Sequence, residues 1–319
     1  MVKIGIIGIG KWGKNHLRSL SEIDCDIVGI SDVDIKKKRL AEEQGIEFFE
    51  DYLKLLEKVD AVTVATPTDL HYDIVIDCLN AGKHVLVEKP IASTSKQSKK
   101  LTDLADSKNL ILSVGYLFRF SNSIKRVREL VNEIGELQYI TCRYIHSTKP
   151  PRRDSGAILN LGIHPMDILN FITGRRPVKV FAKKKNLLSK QFEDSAVIMF
   201  DYGNFFATIE VSCTHPEKKR DMWIISETEK IYVDYFNQKI TRYPLTVTYE
   251  KVERQEPFEE SIAINEPLKD ELTYFVKLVE EKDKKEIWDM ENIGKEEYYT
   301  TRSCELSMKS AETGKGIVI

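Results

Sequence analysis

The stretch KIGIIGIGKWG, residues 3–13, decides the fold of the first half of the chain. Lys3–Gly8 is a short apolar run that opens into a glycine turn, and helical spacing begins at Trp12. Gly8, Gly10 and Gly13 form GxGxxG between a strand and a helix, the context that gives this short motif its meaning. The first glycine allows the tight turn, the second lets the backbone approach a pyrophosphate, and the third lets helix and strand pack closely. The helix N-terminus then offers free N–H groups and a positive dipole end to the phosphates. Lys11 and Trp12 lie inside the same turn and join it as cofactor-binding candidates.

Working outward, Asp32 follows the second strand, 24 residues beyond Gly8. A carboxylate there can bind both ribose hydroxyls of NAD and would repel a 2′-phosphate; Val33 and Asp34 follow, with no Arg beside it to welcome NADP. The expected cofactor is therefore NAD rather than NADP. A plain turn-forming Asp is the simpler alternative. Further strand and helix patterns alternate to Val114, with continuous apolar strands at Ala61–Ala65, His84–Val87 and Ile111–Val114. This βαβ alternation implies a parallel sheet covered on both faces. Ala65-Thr66-Pro67-Thr68 ends one such strand on the ligand edge, with His71 three residues on. Thr66, Pro67, Thr68 and His71 are cofactor-side candidates, although Thr68 can equally cap its helix and His71 can be an ordinary residue of the first turn.

After about Gly115 the pattern changes. Several strand-like stretches follow one another between Val178 and Tyr243 without helices between them, which suggests an antiparallel or mixed sheet. Two helices, near Lys269–Glu281 and Asn292–Ser310, close the chain. The expected fold is α/β: a Rossmann dinucleotide-binding domain over residues 1–118, then an α/β domain with an open, mostly antiparallel mixed sheet over 119–319.

The bulk numbers fit two globular domains. The chain has 319 residues, 42% hydrophobic and 31% charged, and its 48 basic and 50 acidic side chains leave a formal charge of −2. Such a balance offers no electrostatic case for nucleic acid or membrane partners. Cys25, Cys78, Cys142, Cys213 and Cys304 are scattered and contain no CxxC, so neither a disulfide framework nor a zinc site is expected, and a reducing cytoplasm fits. The histidines show no metal-ligand spacing. A chain that starts directly in a strand pattern leaves no room for a signal peptide.

Two elements carry the expected chemistry. Glu88-Lys89-Pro90 follows a central strand, where substrates bind in open α/β sheets, and Glu88 and Lys89 are also cofactor-binding candidates. An ammonium at Lys89 can hydrogen-bond a reacting hydroxyl and favour its alkoxide character; a surface Lys paired with Glu88 is the alternative. Asn160 and His164 lie four apart in an apolar helical pattern and so share a face, with Asp167 on the next turn. An imidazole titrates near neutrality and can accept the hydroxyl proton as hydride leaves the carbinol carbon. A buried structural His beside a helix-capping Asn is the alternative.

The stretches GIGKWGKNH, ATPTDLH, HVLVEKP, GYLFRF, SGAILNLGIHPMDIL, EPLKDEL and SAETGKGIVI, in this order, resemble the glucose–fructose oxidoreductase/inositol dehydrogenase (Gfo/Idh/MocA) family over nearly the whole chain. The resemblance implies that Lys89 belongs to the family's EKP motif, near the substrate hydroxyl and nicotinamide, and that His164 is the catalytic histidine. It also implies an outer sheet face that builds a homodimer or homotetramer. The position of Asn160 is often Asp in the family, and a neutral amide cannot raise the basicity of His164 as a carboxylate would. The opening motif and the Asn of LNLGIH look most like the nucleotide-sugar branch, whose members oxidise the 3-hydroxyl of UDP-N-acetylglucosamine or its uronic acid. Tyr116, Arg119, Lys149, Arg152 and Arg153 are then substrate-binding candidates, the Arg pair being equally readable as a solvated loop. A dehydrogenase of a free polyol such as myo-inositol, or an NAD-binding sensor without turnover, are the competing expectations.

Overall fold

The structure, a computed structural model, describes residues 1–147, 154–281 and 293–319. The chain forms two compact units: Met1–Leu117 with Leu268–Tyr299, and Phe118–Pro267 with Thr300–Ile319.

The first unit holds a six-stranded parallel sheet. Its strands are β1 (Lys3–Ile7), β2 (Asp26–Ser31), β3 (Glu47–Phe49), β4 (Ala61–Val64), β5 (His84–Val87) and β6 (Leu112–Val114), in the order β3-β2-β1-β4-β5-β6. β1 pairs with β2 on one side and β4 on the other, so the order reverses beside it. That switch point is where open α/β sheets bind ligands, at the carboxyl ends of the strands. The connecting helices include α1 (Lys11–Leu20), α2 (Lys38–Gln44), α3 (Tyr52–Leu56), α4 (Thr68–Asn80) and α5 (Ser95–Ser107). Strand β3 and helix α3 carry no clear periodicity in the sequence; each is under six residues, too short for a repeat to show.

One boundary differs from the expected single break after residue 118. Helix Pro267–Glu280 returns to the first unit, where Leu268, Leu272, Phe275, Val276 and Val279 join the core built on Ile4, Ile6, Leu20 and Leu86. An amphipathic helix must bury its apolar stripe, and the sequence does not say against which sheet.

The second unit is built on a long mixed sheet. Helices α6 (Asn122–Val131) and α7 (Ile163–Thr173) lie with β7 (Leu137–Ser147), β8 (Lys179–Lys185), β9 (Ser195–Asp201), β10 (Phe206–Ser212), β11 (Thr214–Ser226), β12 (Glu229–Asp234), β13 (Lys239–Val247) and β14 (Val252–Arg254). The order is β14-β13-β12-β11-β7-β10-β9-β8, closed off by the C-terminal strand Ile317–Val318. The β7–β10 pair is parallel and the other neighbouring pairs among the described residues are antiparallel, as expected of a mixed sheet. Alternation is clean along β9: Ala196, Ile198 and Phe200 are buried, whereas Val197 and Met199 face outward. Residues 158–162, expected as the start of one helix with α7, instead form a π-helical turn. Pro165 has no amide hydrogen for the Leu161 carbonyl, so a regular α ladder cannot run through this point, and the wider turn resolves it. Among the described residues no helix is long and apolar enough to cross a membrane.

Candidate active site

In the first unit the glycine turn sits at the end of β1. Gly8 has φ +89°, and a Cβ there would lie 2.9 Å from the backbone of Ala65 and Thr66. A Cβ on Gly13 would lie 1.9 Å from the Gly8 carbonyl oxygen, so helix and turn touch only because Gly13 lacks a side chain. A Cβ on Gly10 would meet nothing within 4 Å. Gly10 is also the N-cap of α1 and offers no side-chain acceptor, which leaves the first-turn amides directed at open space. That is a fitting cradle for a dinucleotide pyrophosphate.

Asp32 follows β2 directly. One carboxylate oxygen accepts the Ile9 amide at 2.6 Å and the other accepts the Asp34 amide at 2.8 Å. Asp32 thus ties the glycine turn to the end of β2, which places its carboxylate beside the cradle. A carboxylate has lone pairs beyond those two bonds for ribose hydroxyls.

Thr66, Pro67 and Thr68 lead into α4, with Pro67 as its N-cap and Thr68 as its first residue. His71 is fully buried in the first turn, with Nδ1 2.8 Å from the Pro90 carbonyl and Nε2 2.9 Å from the Thr66 carbonyl. It clamps the loop after β4 to the loop after β5. Glu88 and Lys89 are both buried, and the Lys89–Pro90 peptide is cis. The surface-Lys alternative for Lys89 is thereby removed. Nε2 of the fully buried His16, on α1, lies 3.1 Å from Glu88 Oε1. Sequence reasoning did not assign His16 a role; its only signal was membership of the GKNH stretch. Tyr116 is buried and donates its hydroxyl to Glu297, so it braces the unit's own interior.

In the second unit His164 is 6% exposed, at the start of α7. Its ring stacks on Tyr144 of β7 with centroids 5.4 Å apart and planes 9° apart. Phe118 meets the same ring edge-on at 5.3 Å. Two aromatic neighbours fix the imidazole's plane. Burial raises the Tyr144 phenol above its usual range, so Tyr144 stays protonated at neutral pH. Asn160 lies half-buried in the π-helical turn, its backbone N–H donating to the Gly156 carbonyl. π-helical turns recur at functional sites. Glu193 caps this turn by accepting the Ile158 amide at 2.9 Å. Asp167 accepts the Arg119 guanidinium at 3.0 and 3.1 Å, and both side chains are buried. Arg119 was expected at the substrate; its charge is instead neutralised inside the unit. Lys149, Arg152 and Arg153 lie outside the described residues.

A Rossmann sheet with a glycine cradle, an uncapped helix N-terminus and a carboxylate beside it defines a dinucleotide-binding protein. Residues 2–116 match the family model described as an oxidoreductase family with an NAD-binding Rossmann fold, and residues 124–232 match the Gfo/Idh/MocA C-terminal domain. The chain belongs to the Gfo/Idh/MocA family of oxidoreductases. It is 26% identical over 243 residues to UDP-N-acetylglucosamine 3-dehydrogenase of Acidithiobacillus ferrooxidans, an alignment covering 76% of this chain and 77% of that one. It is 30% identical over 217 residues to myo-inositol 2-dehydrogenase of Thermotoga maritima, covering 63% of this chain and 65% of that one. A solved structure of the Acidithiobacillus enzyme superposes with a TM-score of 0.85 over 98% of both chains, at 23% identity.

Proposed function

We propose that this oxidoreductase transfers hydride from a secondary hydroxyl of a sugar-type substrate to NAD, with the 3-hydroxyl of UDP-N-acetylglucosamine or its uronic acid as the preferred target. The observation that carries the reading is the buried His164, at the start of α7 directly after the π-helical turn, held in plane by Tyr144 and Phe118.

The residues divide the work. The amides at the start of α1 hold the pyrophosphate, and Asp32 holds the ribose hydroxyls, which favours NAD over NADP. When bound, the nicotinamide supplies the hydride acceptor. Lys89 donates a hydrogen bond to the reacting oxygen and stabilises its developing negative charge. His164 takes the hydroxyl proton as the C–H bond breaks and the carbonyl forms. Asn160 orients the substrate without adding charge next to His164.

The Acidithiobacillus relative supports the nucleotide-sugar reading, and the Thermotoga relative supports a second one, oxidation of a free polyol such as myo-inositol. The exposed Val197, Met199 and Phe206 on one face of the mixed sheet favour a homodimer or homotetramer, and the chain's expected compartment is the cytoplasm. The carbon is tested with UDP-N-acetylglucosamine deuterated at C3. Deuterium recovered in the reduced cofactor supports the assignment; deuterium retained in an oxidised product excludes C3.

A further inference from the structure

The sheet face that holds His164 continues into a cluster of cations that the reaction described so far does not use. Strands β7 and β11 are antiparallel neighbours, with Cys142 opposite Met222 and Tyr144 opposite Arg220. Side chains two apart share a face. Ile140, Cys142, Met222 and Ile224 are buried on that face, and Tyr144 comes next, under His164. Beyond Tyr144 the same rows reach His146 on β7, and Arg220 and Lys218 on β11.

Arg220 is held in an unusual way. Its guanidinium carbon lies 4.6 Å from the Tyr144 ring centroid and 4.8 Å from that of Phe236, in contact with both rings. Lys218 Nζ lies 4.4 Å from the same Phe236 ring. No carboxylate among the described residues pairs with Arg220, and its Nε is buried without a hydrogen-bond partner. The adjacent Asp221 is engaged by Arg143 at 2.6 and 2.9 Å and by Tyr232 at 2.9 Å. Burial holds the His146 imidazole below its usual range, and Arg220 and Lys218 push it further down, so positive potential gathers at this spot. A guanidinium whose faces rest on rings keeps its N–H edge for a planar anion, in the fork geometry that matches carboxylate and phosphate.

We propose that Arg220, with Lys218 beside it, binds an anionic group of the substrate, a carboxylate or phosphate oxygen, on the sheet face that carries His164. The proposal rests on His164 acting on the substrate. It makes Arg220 the residue that separates acidic or nucleotide-linked sugars from neutral polyols.

The test compares the natural chain with Arg220→Gln and Arg220→Lys on UDP-N-acetylglucosamine, its uronic acid, free N-acetylglucosamine and myo-inositol. Loss of one charge-assisted bond predicts a KM raised about 10- to 100-fold on substrates bearing the recognised anion, with partial recovery in Arg220→Lys. If the anion is the carboxylate, only the uronic acid suffers; if it is phosphate, both UDP-sugars do. An equal change on charged and neutral substrates, or none at all, overturns the proposal. Calorimetric binding of UDP and of glucuronate to the intact protein needs no turnover and separates the two hypotheses. Binding of either probe that falls at least about tenfold in Arg220→Gln supports the anion site even if the assumed reaction is wrong. Failure of the natural chain to bind either probe overturns it.

Discussion

At Gly156 there is no room for a methyl group. A Cβ there would lie 2.2–2.3 Å from the carboxyl atoms of Glu193, which is buried and caps the π-helical turn through the Ile158 amide. Gly156→Ala should therefore displace the cap and cost about 1–3 kcal/mol, read from urea unfolding; an unchanged midpoint would show that Glu193 relocates freely. His164→Ala should lower kcat by roughly 10²–10⁴-fold while NAD affinity, measured by calorimetry, barely changes. An unaltered turnover number would remove His164 from the base role. At this scale the sequence was informative where a residue type is tied to a backbone need or a local motif. The glycines, Asp32, Lys89 and His164 stood out for that reason. Tyr144 and Arg220 did not, because strand alternation tells which face a side chain takes and not which ring it meets. The pairing of Arg119 was not legible, because its partner Asp167 lies 48 positions away and no local spacing announces it.

At the scale of elements, that pair anchors helix α7 to the segment leading into α6. Arg119 and Asp167 are both nearly inaccessible, and Arg119 also lies over the Phe171 ring at 5.7 Å. Removing one partner strands a charge in the interior. Arg119→Met should destabilise the protein by about 3–5 kcal/mol, and Arg119→Met combined with Asp167→Leu should regain much of that loss. Thermal and urea unfolding of both single variants and the double variant read this directly; a double loss equal to the sum of the single losses would mean that the pair is not energetically coupled. The continuous apolar runs of β4 and β5 were legible to within a residue or so, because an unbroken apolar stretch between polar and turn residues marks both of its ends. The short β3 and α3 were not, and neither was the π-helical turn, since the proline that breaks the ladder looks locally like part of a continuing apolar helix.

For the whole molecule, the lesson lies in the discontinuous first unit. The fold class was readable, but the return of Leu268–Tyr299 was not, because an amphipathic stripe does not name its partner sheet. Residues 1–118 alone should lack the cover that Leu272 and Phe275 provide, and so melt without cooperativity. The same residues joined through a flexible linker to 267–281 should regain a cooperative transition by circular dichroism. A cooperative transition in the short fragment would show that the added helix is dispensable.

The most direct test of the proposed reaction is the rise of nicotinamide absorbance with NAD and a panel of UDP-N-acetyl sugars, their uronic acids, free aldoses and inositol. Saturable turnover with a UDP-N-acetyl sugar or its acid, lost in His164→Ala, is the predicted result. Turnover confined to free polyols would contradict the substrate assignment. Absence of reduced cofactor from the whole panel, including any released on denaturing the protein, would contradict the proposed dehydrogenase reaction.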